Sequence, residues 1–283
     1  MTIYRLGLIG YPVSHSLSPK IQNAALRACG LEGDYSLFPI AQDDMQGLKE
    51  LLDRVRTGEI TGLNVTIPHK QNVIPFMDVL TPTAKAIGAV NIIYMRENKL
   101  IGDNTDAGGF LSDLRKFLTT EPQRHGDSNA LVLGAGGSAR AVVYALASDG
   151  WKVSIAARRI EQSRQLASTL PNSQLLITNF ENLQSPISSL LLLVNTTPLG
   201  MTPNIDRSPL PENISLSPHT KIYDLVYNPR ETKLVRDARA QGCQATTGLG
   251  MLIEQAALGF ELWTGFDPSR EIMRASIQQF SNL

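Results

Sequence analysis

Short apolar, β-branched runs alternate with longer stretches of helical spacing along nearly the whole chain. That alternation is the pattern of α/β folds on largely parallel sheets, whose buried strands read as apolar runs and whose crossovers are helices. Strands are expected at IYRLGLI, YSLFPI, GLNVTI, NIIYM, ALVLG, KVSIA, LLLLVNT and IYDLV. In PKIQNAALRACG, Ile21, Ala24, Ala25 and Ala28 keep helical spacing and Gly30 supplies the stop. Between Leu118 and Asn129 the periodicity is lost before a new strand begins, so a surface loop is expected to lead into a nucleotide-type unit. No internal repeat or low-complexity segment interrupts the pattern.

One junction in that pattern carries specific chemistry. ALVLGAGGSARAVVYAL reads as strand, glycine-rich turn and helix. Gly134 permits the tight turn, Gly136 lets backbone approach a pyrophosphate, and Ala139 takes the small position where helix packs on strand. The helix N-terminus then offers N–H groups and a dipole to the phosphates. An NAD-preferring unit places an acid about 20 residues on, at the end of its second strand. Here KVSIA is followed by Ala157, Arg158 and Arg159, and guanidinium groups suit a 2′-phosphate. NADP is therefore expected over NAD.

Length and charge narrow the partner. The 283 residues suggest two domains. Lys and Arg together number 26, as do Asp and Glu, so the basic excess that drives nucleic-acid or anionic-membrane binding is missing. A small-molecule partner is expected instead, with no nucleic acid and no membrane. The two cysteines, Cys29 and Cys243, suggest neither a disulfide framework nor a metal site. No secretory leader or transmembrane stretch is read, and a cytoplasmic location is expected.

Three further stretches place polar groups at strand ends, where open parallel sheets collect their ligands. Lys70 follows the proline of GLNVTIPHK, Asn91 stands at the mouth of NIIYM, and LIGDNTDAGGF puts two acids in a loop before a helix capped by Thr105 or Asp106. Each has an ordinary explanation as a solvated lysine, a turn or a cap, and SHSLSP reads equally as a polar turn with Ser18 as an N-cap. Taken together they fit carbonyl reduction. Hydride delivery to carbon leaves negative charge on oxygen, which needs a positioned proton donor. A lysine beside an aspartate supplies donor and orienting partner, although an exposed lysine, with a pKa of about 10.4, requires burial or a relay to serve near neutrality.

The strings SHSLSP, NVTIPHK, GAVN, GDNTD, GAGGSAR, NTTPLGM, YDLVYNP and GLGMLIEQA occur in an order and at separations that resemble the shikimate dehydrogenase family, from Gly10 to about Phe260. The resemblance implies reversible NADPH-dependent reduction of 3-dehydroshikimate to shikimate in aromatic amino-acid biosynthesis. It implies Lys70 and Asp106 as the catalytic pair, and Ser16 and Ser18 on the substrate carboxylate. It implies Asn64, Thr66, Asn91 and Gln255 around the ring hydroxyls, and Tyr227 near carboxylate and nicotinamide. For the cofactor it implies Gly134, Ala135, Gly136, Gly137, Ser138 and Ala139, with Arg158, Arg159, Thr196, Gly248 and Met251. The implied fold is α/β with two lobes. A substrate domain with a mixed, mostly parallel sheet comprises residues 1–105 plus 246–283, and a Rossmann-like NADP domain spans 106–245, with the active site in the cleft between them. A monomer or homodimer is expected. His15 and His69, inside matched motifs, are left as structural.

One departure stands out. Where the family commonly shows Asn-Arg-Thr after the second strand of the nucleotide unit, this chain reads Ala157-Arg158-Arg159. Two alternatives accompany the resemblance. One is the quinate/shikimate branch, which accepts a further ring hydroxyl and often uses NAD; the arginines oppose it. The other is a catalytically silent dinucleotide-binding member, which the presence of both Lys70 and Asp106 opposes.

Overall fold

The computed structural model describes residues 2–118, 128–168, 190–211 and 214–278, and residues 176–178 as backbone. The loop expected between Leu118 and Asn129 lies largely outside the described residues. The chain divides into two compact units, Met1–Gly109 with Ile253–Leu283, and Phe110–Leu252.

In the first unit β1 (Tyr4–Gly10) lies between β2 (Gly33–Pro39) and β3 (Gly62–Val65), parallel to both. Then β5 (Ile92–Arg96) runs antiparallel to β3, β6 (Lys99–Asp103) antiparallel to β5, and β4 (Val79–Leu80) parallel to β6. The order is β2-β1-β3-β5-β6-β4, a mixed sheet with mostly parallel pairs. Two helices show how the pattern builds the layers. In α1 (Ser18–Ala28), Ile21, Ala24 and Ala25 are buried as their spacing predicts, and Gly30 takes the left-handed backbone, φ 66°, that ends the turn. In α2 (Met45–Arg56) the Asp44 carboxylate caps the Gly47 N–H, and Leu48, Leu51, Leu52 and Val55 form one buried stripe against Ile9, Leu63, Val65 and Ile93. Burying each such side chain contributes about 1.5–3 kcal/mol. The unit also contains α3 (Pro82–Ile87) and α9 (Arg270–Gln278), the start of α4 (Asp106–Phe117) and most of α8 (Leu249–Thr264).

Strand direction gathers the polar segments of this unit. β1, β3 and β6 end at the same sheet edge where the antiparallel β5 begins, since Ile9 pairs with Val65, Asn64 with Ile92, and Ile92 with Asp103. The connections bearing Ser16 and Ser18, Thr66 and Lys70, Asn91, and Asn104–Asp106 all leave from that edge.

Two local expectations are corrected. Leu100–Asp103 is strand rather than loop, because Glu97 and Asn98, at φ 50° and 58°, form a two-residue hairpin turn that folds β6 back on β5. Thr105 stands at the N-cap position of α4, its carbonyl accepting from the Gly109 N–H at 2.9 Å, while the side chain that caps belongs to Asn104, whose Oδ1 accepts from the N–H groups of Asp106 and Ala107. Likewise Ser18 is the first residue of α1 rather than its cap, and its N–H is met by Ser16 Oγ at 3.2 Å.

The second unit is doubly wound. Its strands are β7 (Asn129–Leu133), β8 (Lys152–Ala156), β9 (Leu176–Thr178), β10 (Leu192–Asn195), β11 (Lys221–Asp224) and β12 (Ala245–Thr247), in the order β12-β11-β10-β7-β8-β9. All pairs are parallel, and the order reverses between β7 and β10. The crossovers include α5 (Gly137–Ser148), α6 (Ile160–Ser168) and α7 (Lys233–Ala240). Register aligns the strand ends in one row: Thr178, Ala156, Leu133, Asn195, Asp224 and Thr247. In such sheets ligands bind beyond that row, at the switch point.

Candidate functional site

At the edge of the first unit's sheet, Lys70 Nζ lies 2.5 Å from Asp106 Oδ2. Lys70 is 9% and Asp106 4% exposed. Lys70 is held from its backbone, whose carbonyl accepts from the Val90 N–H at 2.8 Å. Asp106 opens α4, where a negative charge complements the helix dipole. Its second oxygen, Oδ1, accepts from Asn91 Nδ2 at 3.0 Å, so both oxygens of the carboxylate are fixed. Taking either member out leaves a buried charge without its partner.

Asn91 organises the surroundings. Its Nδ2 also faces Thr105 Oγ1 at 3.0 Å and Gln255 Oε1 at 3.4 Å, and its Oδ1 accepts from the Thr105 N–H at 2.7 Å. Thr105 Oγ1 donates to the Gln255 carbonyl at 3.2 Å. Asn64 Nδ2 donates to the Asn91 carbonyl at 3.2 Å, and Asn64 Oδ1 accepts from Tyr35 OH at 2.7 Å. Lys70, Asp106, Asn91, Asn64 and Gln255 thus form one connected polar cluster. Thr66, half-buried, sits where β3 runs out, and only a glycine at position 10 admits it: a Cβ on Gly10 would fall 2.4 Å from Thr66 Cγ2. Ser16, half-buried, and Ser18, buried, stand at the same sheet edge on the β1–α1 connection.

Sequence reasoning missed Tyr35, Asn104 and Thr105 as supports of this cluster. Tyr35 was hidden in an apolar strand, while Asn104 and Thr105 were read only as part of a capping sequence. His69 is fully buried, with Nε2 donating to the Ile40 carbonyl at 2.8 Å, which is a structural role.

In the second unit the glycine turn has the form that a dinucleotide needs. Gly134 adopts φ 116°, and a Cβ there would fall 2.5 Å from Thr196 Oγ1. Thr196 is itself pinned, its N–H and Oγ1 donating to the Leu133 carbonyl at 2.9 and 2.7 Å. Gly136 differs: a Cβ there meets no protein atom within 4 Å. It is the N-cap of α5, with no side chain capping the helix, and Gly137 and Ser138 follow as its first residues. Open space over a bare helix N-terminus fits a pyrophosphate, with Ala135 in the turn and Ala139 fully buried below. Arg158 and Arg159, just past β8, are exposed and form no ion pair among the described residues. Gly248, after β12, passes so close to Leu225 that a Cβ would lie 2.3 Å from its carbonyl oxygen, and Met251 is buried nearby in sequence. Tyr227, half-buried, lies on the loop after β11, in this unit rather than with the other residues expected at the substrate.

The row of strand ends also contains a carboxylate that sequence reasoning passed over. Asp224 is fully buried and accepts from Asn195 Nδ2, the Val226 N–H and Thr232 Oγ1. Burial pushes its pKa up to about 6, with those three hydrogen bonds pulling the other way. Among the described residues no group of His, Cys, Asp and Glu is arranged to hold a metal ion, and no helix is long and apolar enough to cross a membrane.

Comparison with known proteins adds independent findings. Three family models match: the shikimate dehydrogenase substrate binding domain at residues 8–93, shikimate / quinate 5-dehydrogenase at 118–214, and the shikimate 5′-dehydrogenase C-terminal domain at 248–278. The shikimate dehydrogenase (NADP(+)) of Salinibacter ruber is 41% identical over 268 residues, covering 91% of this chain and 90% of the relative. The crystal structure of shikimate 5-dehydrogenase from Thermus thermophilus in complex with NADP(H) and shikimate superposes with a TM-score of 0.84 at 37% identity, covering 96% of this chain and 98% of that one. Quinate dehydrogenase from Corynebacterium glutamicum in complex with NAD shares the fold with a TM-score of 0.86 at 30% identity, covering 97% and 99%. With such identity over nearly its full length, the chain belongs to the shikimate dehydrogenase family.

Proposed function

We propose that this chain catalyses the reversible NADPH-dependent reduction of 3-dehydroshikimate to shikimate, with Lys70 and Asp106 as the acid–base pair. The observation that carries the reading is the buried Lys70–Asp106 pair, 2.5 Å apart and locked by Asn91. NADPH supplies the hydride when bound. The chain's own residues handle the proton: as the ketone carbon is reduced, its oxygen gains negative charge and takes a proton from the pair, held between Lys70 Nζ and Asp106 Oδ2. In the oxidation direction the same atoms accept the proton of the alcohol.

Ser16 and Ser18 bind the substrate carboxylate through hydroxyl donors, which bring no further charge to desolvate. Asn64, Thr66, Asn91 and Gln255 meet the ring hydroxyls, and Tyr227 is read as a contact of the substrate carboxylate and the nicotinamide. Gly134–Ala139 hold the pyrophosphate, Arg158 and Arg159 the 2′-phosphate, and Thr196, Gly248 and Met251 line the remainder of the cofactor path. Residues 1–105 with 246–283 are read as the substrate domain and 106–245 as the NADP domain. The protein is read as a cytoplasmic monomer or homodimer acting on diffusing small molecules, without nucleic acid.

The quinate branch is the competing reading. Against it stand the two arginines and the lack of an acid where β8 ends. Lys70→Ala tests the mechanism: turnover is expected to fall by on the order of a hundredfold to ten-thousandfold, with shikimate binding changed far less. Near-normal turnover in a folded variant removes Lys70 from the role.

A further inference from the structure

The hydride-transfer reading leaves one buried carboxylate unused. Asp224 ends β11 with Oδ1 accepting from Asn195 Nδ2 at 2.8 Å and from the Val226 N–H at 3.0 Å, while Oδ2 accepts from Thr232 Oγ1 at 2.6 Å. Each donor comes from a different segment. Asn195 ends β10, and its Oδ1 in turn accepts from the N–H and Oγ1 of Thr197 at 2.9 and 2.7 Å. Val226 precedes Tyr227. Thr232 caps α7, accepting from the Val235 N–H at 3.3 Å.

The two loops that leave β10 and β11 are also tied to each other. The Thr202 N–H donates to the Asn228 carbonyl at 3.1 Å, and Thr202 Oγ1 lies 3.2 Å from Asn228 Oδ1. All three donors to Asp224 are neutral, and a buried charge without a cation is costly. What the side chain provides is a single acceptor point on which a strand end, a loop and a helix cap converge.

Position says what those loops serve. A doubly wound sheet gives one mononucleotide of a dinucleotide to each half of its strand order. β7 and β8 carry the glycine turn and the two arginines, which is the adenosine half. Asn195 and Asp224 end neighbouring strands of the other half. We propose that Asp224 is a positioning residue for the nicotinamide half of the cofactor, holding the loops Thr196–Met201 and Leu225–Pro229 in place without touching the cofactor itself. The inference rests on the dinucleotide reading of this unit and not on the identity of the second substrate.

The test compares two ligands that share an adenosine half. NADPH and adenosine 2′,5′-bisphosphate, which lacks nicotinamide, are titrated calorimetrically against the wild-type chain, Asp224→Ala and Asp224→Asn. Asp224→Ala is expected to weaken NADPH about tenfold or more, the equivalent of one or two buried hydrogen bonds, while the bisphosphate keeps its affinity within about twofold. Asp224→Asn keeps the Oδ1 acceptor and faces Thr232 Oγ1 with an amide, so it recovers most of the NADPH affinity. Should Asp224→Ala fail to fold, Thr232→Val removes one donor with the carboxylate intact and is expected to show the same selective loss. Equal loss for both ligands, or no loss for either, overturns the proposal. A wild-type chain that binds neither ligand overturns the dinucleotide reading and this inference with it, while binding of both without any turnover of shikimate affects only the substrate assignment.

Discussion

Ser16 and Ser18 show how one residue can carry a local and a chemical role. Ser16 Oγ meets the Ser18 N–H at 3.2 Å, so the turn alone gives the first hydroxyl an occupation, yet that bond uses its lone pair and leaves its proton free to donate. Ser18 opens α1 without capping it. If the hydroxyls bind the substrate carboxylate, Ser16→Ala and Ser18→Ala raise the KM for shikimate by about fivefold to a hundredfold each, by the loss of a hydrogen bond to a charged group, with a smaller change in kcat. Steady-state kinetics alongside thermal denaturation check this. A loss of stability with unchanged KM would leave only the turn.

At the scale of elements, the two motif glycines answer different demands. Gly134 needs its φ of 116° and its missing side chain, because Thr196 Oγ1 occupies the space. Gly136 has ordinary dihedral angles and nothing around it, so protein packing does not explain it. Gly136→Ala is accordingly expected to leave the melting temperature nearly unchanged while weakening NADP binding about tenfold or more, since the added methyl enters the space read as the pyrophosphate's. Gly134→Ala is expected to lower stability itself, by about 1–3 kcal/mol, since alanine there is both strained and crowded. Thermal melts and dinucleotide titrations on the pair separate the two effects. The same scale shows what was legible beforehand. The buried strands and the glycine turn stood out because apolar runs and small residues report burial directly. β6 did not: its KLIGD stretch is short, and the turn that pairs it with β5 is Glu97-Asn98, without the glycine that usually marks a tight hairpin. With β6 ending at Asp103, the loop before α4 is only Asn104 and Thr105, and the capping side chain is that of Asn104. Likewise the identities of Lys70, Asp106 and Asn91 were readable as strand-end polar residues, but their convergence depends on β5 running antiparallel to β3, which no local pattern encodes.

For the whole molecule, buried charge links stability to pH. The folded-state pKa of Asp224, about 6, lies above its ordinary value of 3.8. At neutral pH the group is ionised in both folded and unfolded chains, and the folded one bears a burial cost of about 3 kcal/mol. As pH falls from about 6 to about 4 the folded chain takes up the proton first, and the cost disappears. Asp78, whose pKa the Arg56 hydrogen bond holds down, acts with the opposite sign, its contribution being lost as pH falls through its lowered value. Denaturant midpoints of wild-type and Asp224→Asn chains at about pH 7 and about pH 4.5 isolate the first effect: relative to the variant, the wild-type chain gains stability at the lower pH. A constant difference between them would mean that Asp224 is not the source.

One reaction, with one pair of partners, underlies the roles given to both units. Initial rates for the wild-type chain with shikimate and with quinate, each with NADP and with NAD, test it most directly. Fastest turnover is expected for shikimate with NADP, by Lys70 and Asp106 on the substrate and Arg158 and Arg159 on the 2′-phosphate. Faster turnover of quinate with NAD, or no shikimate-dependent NADPH formation, would contradict it.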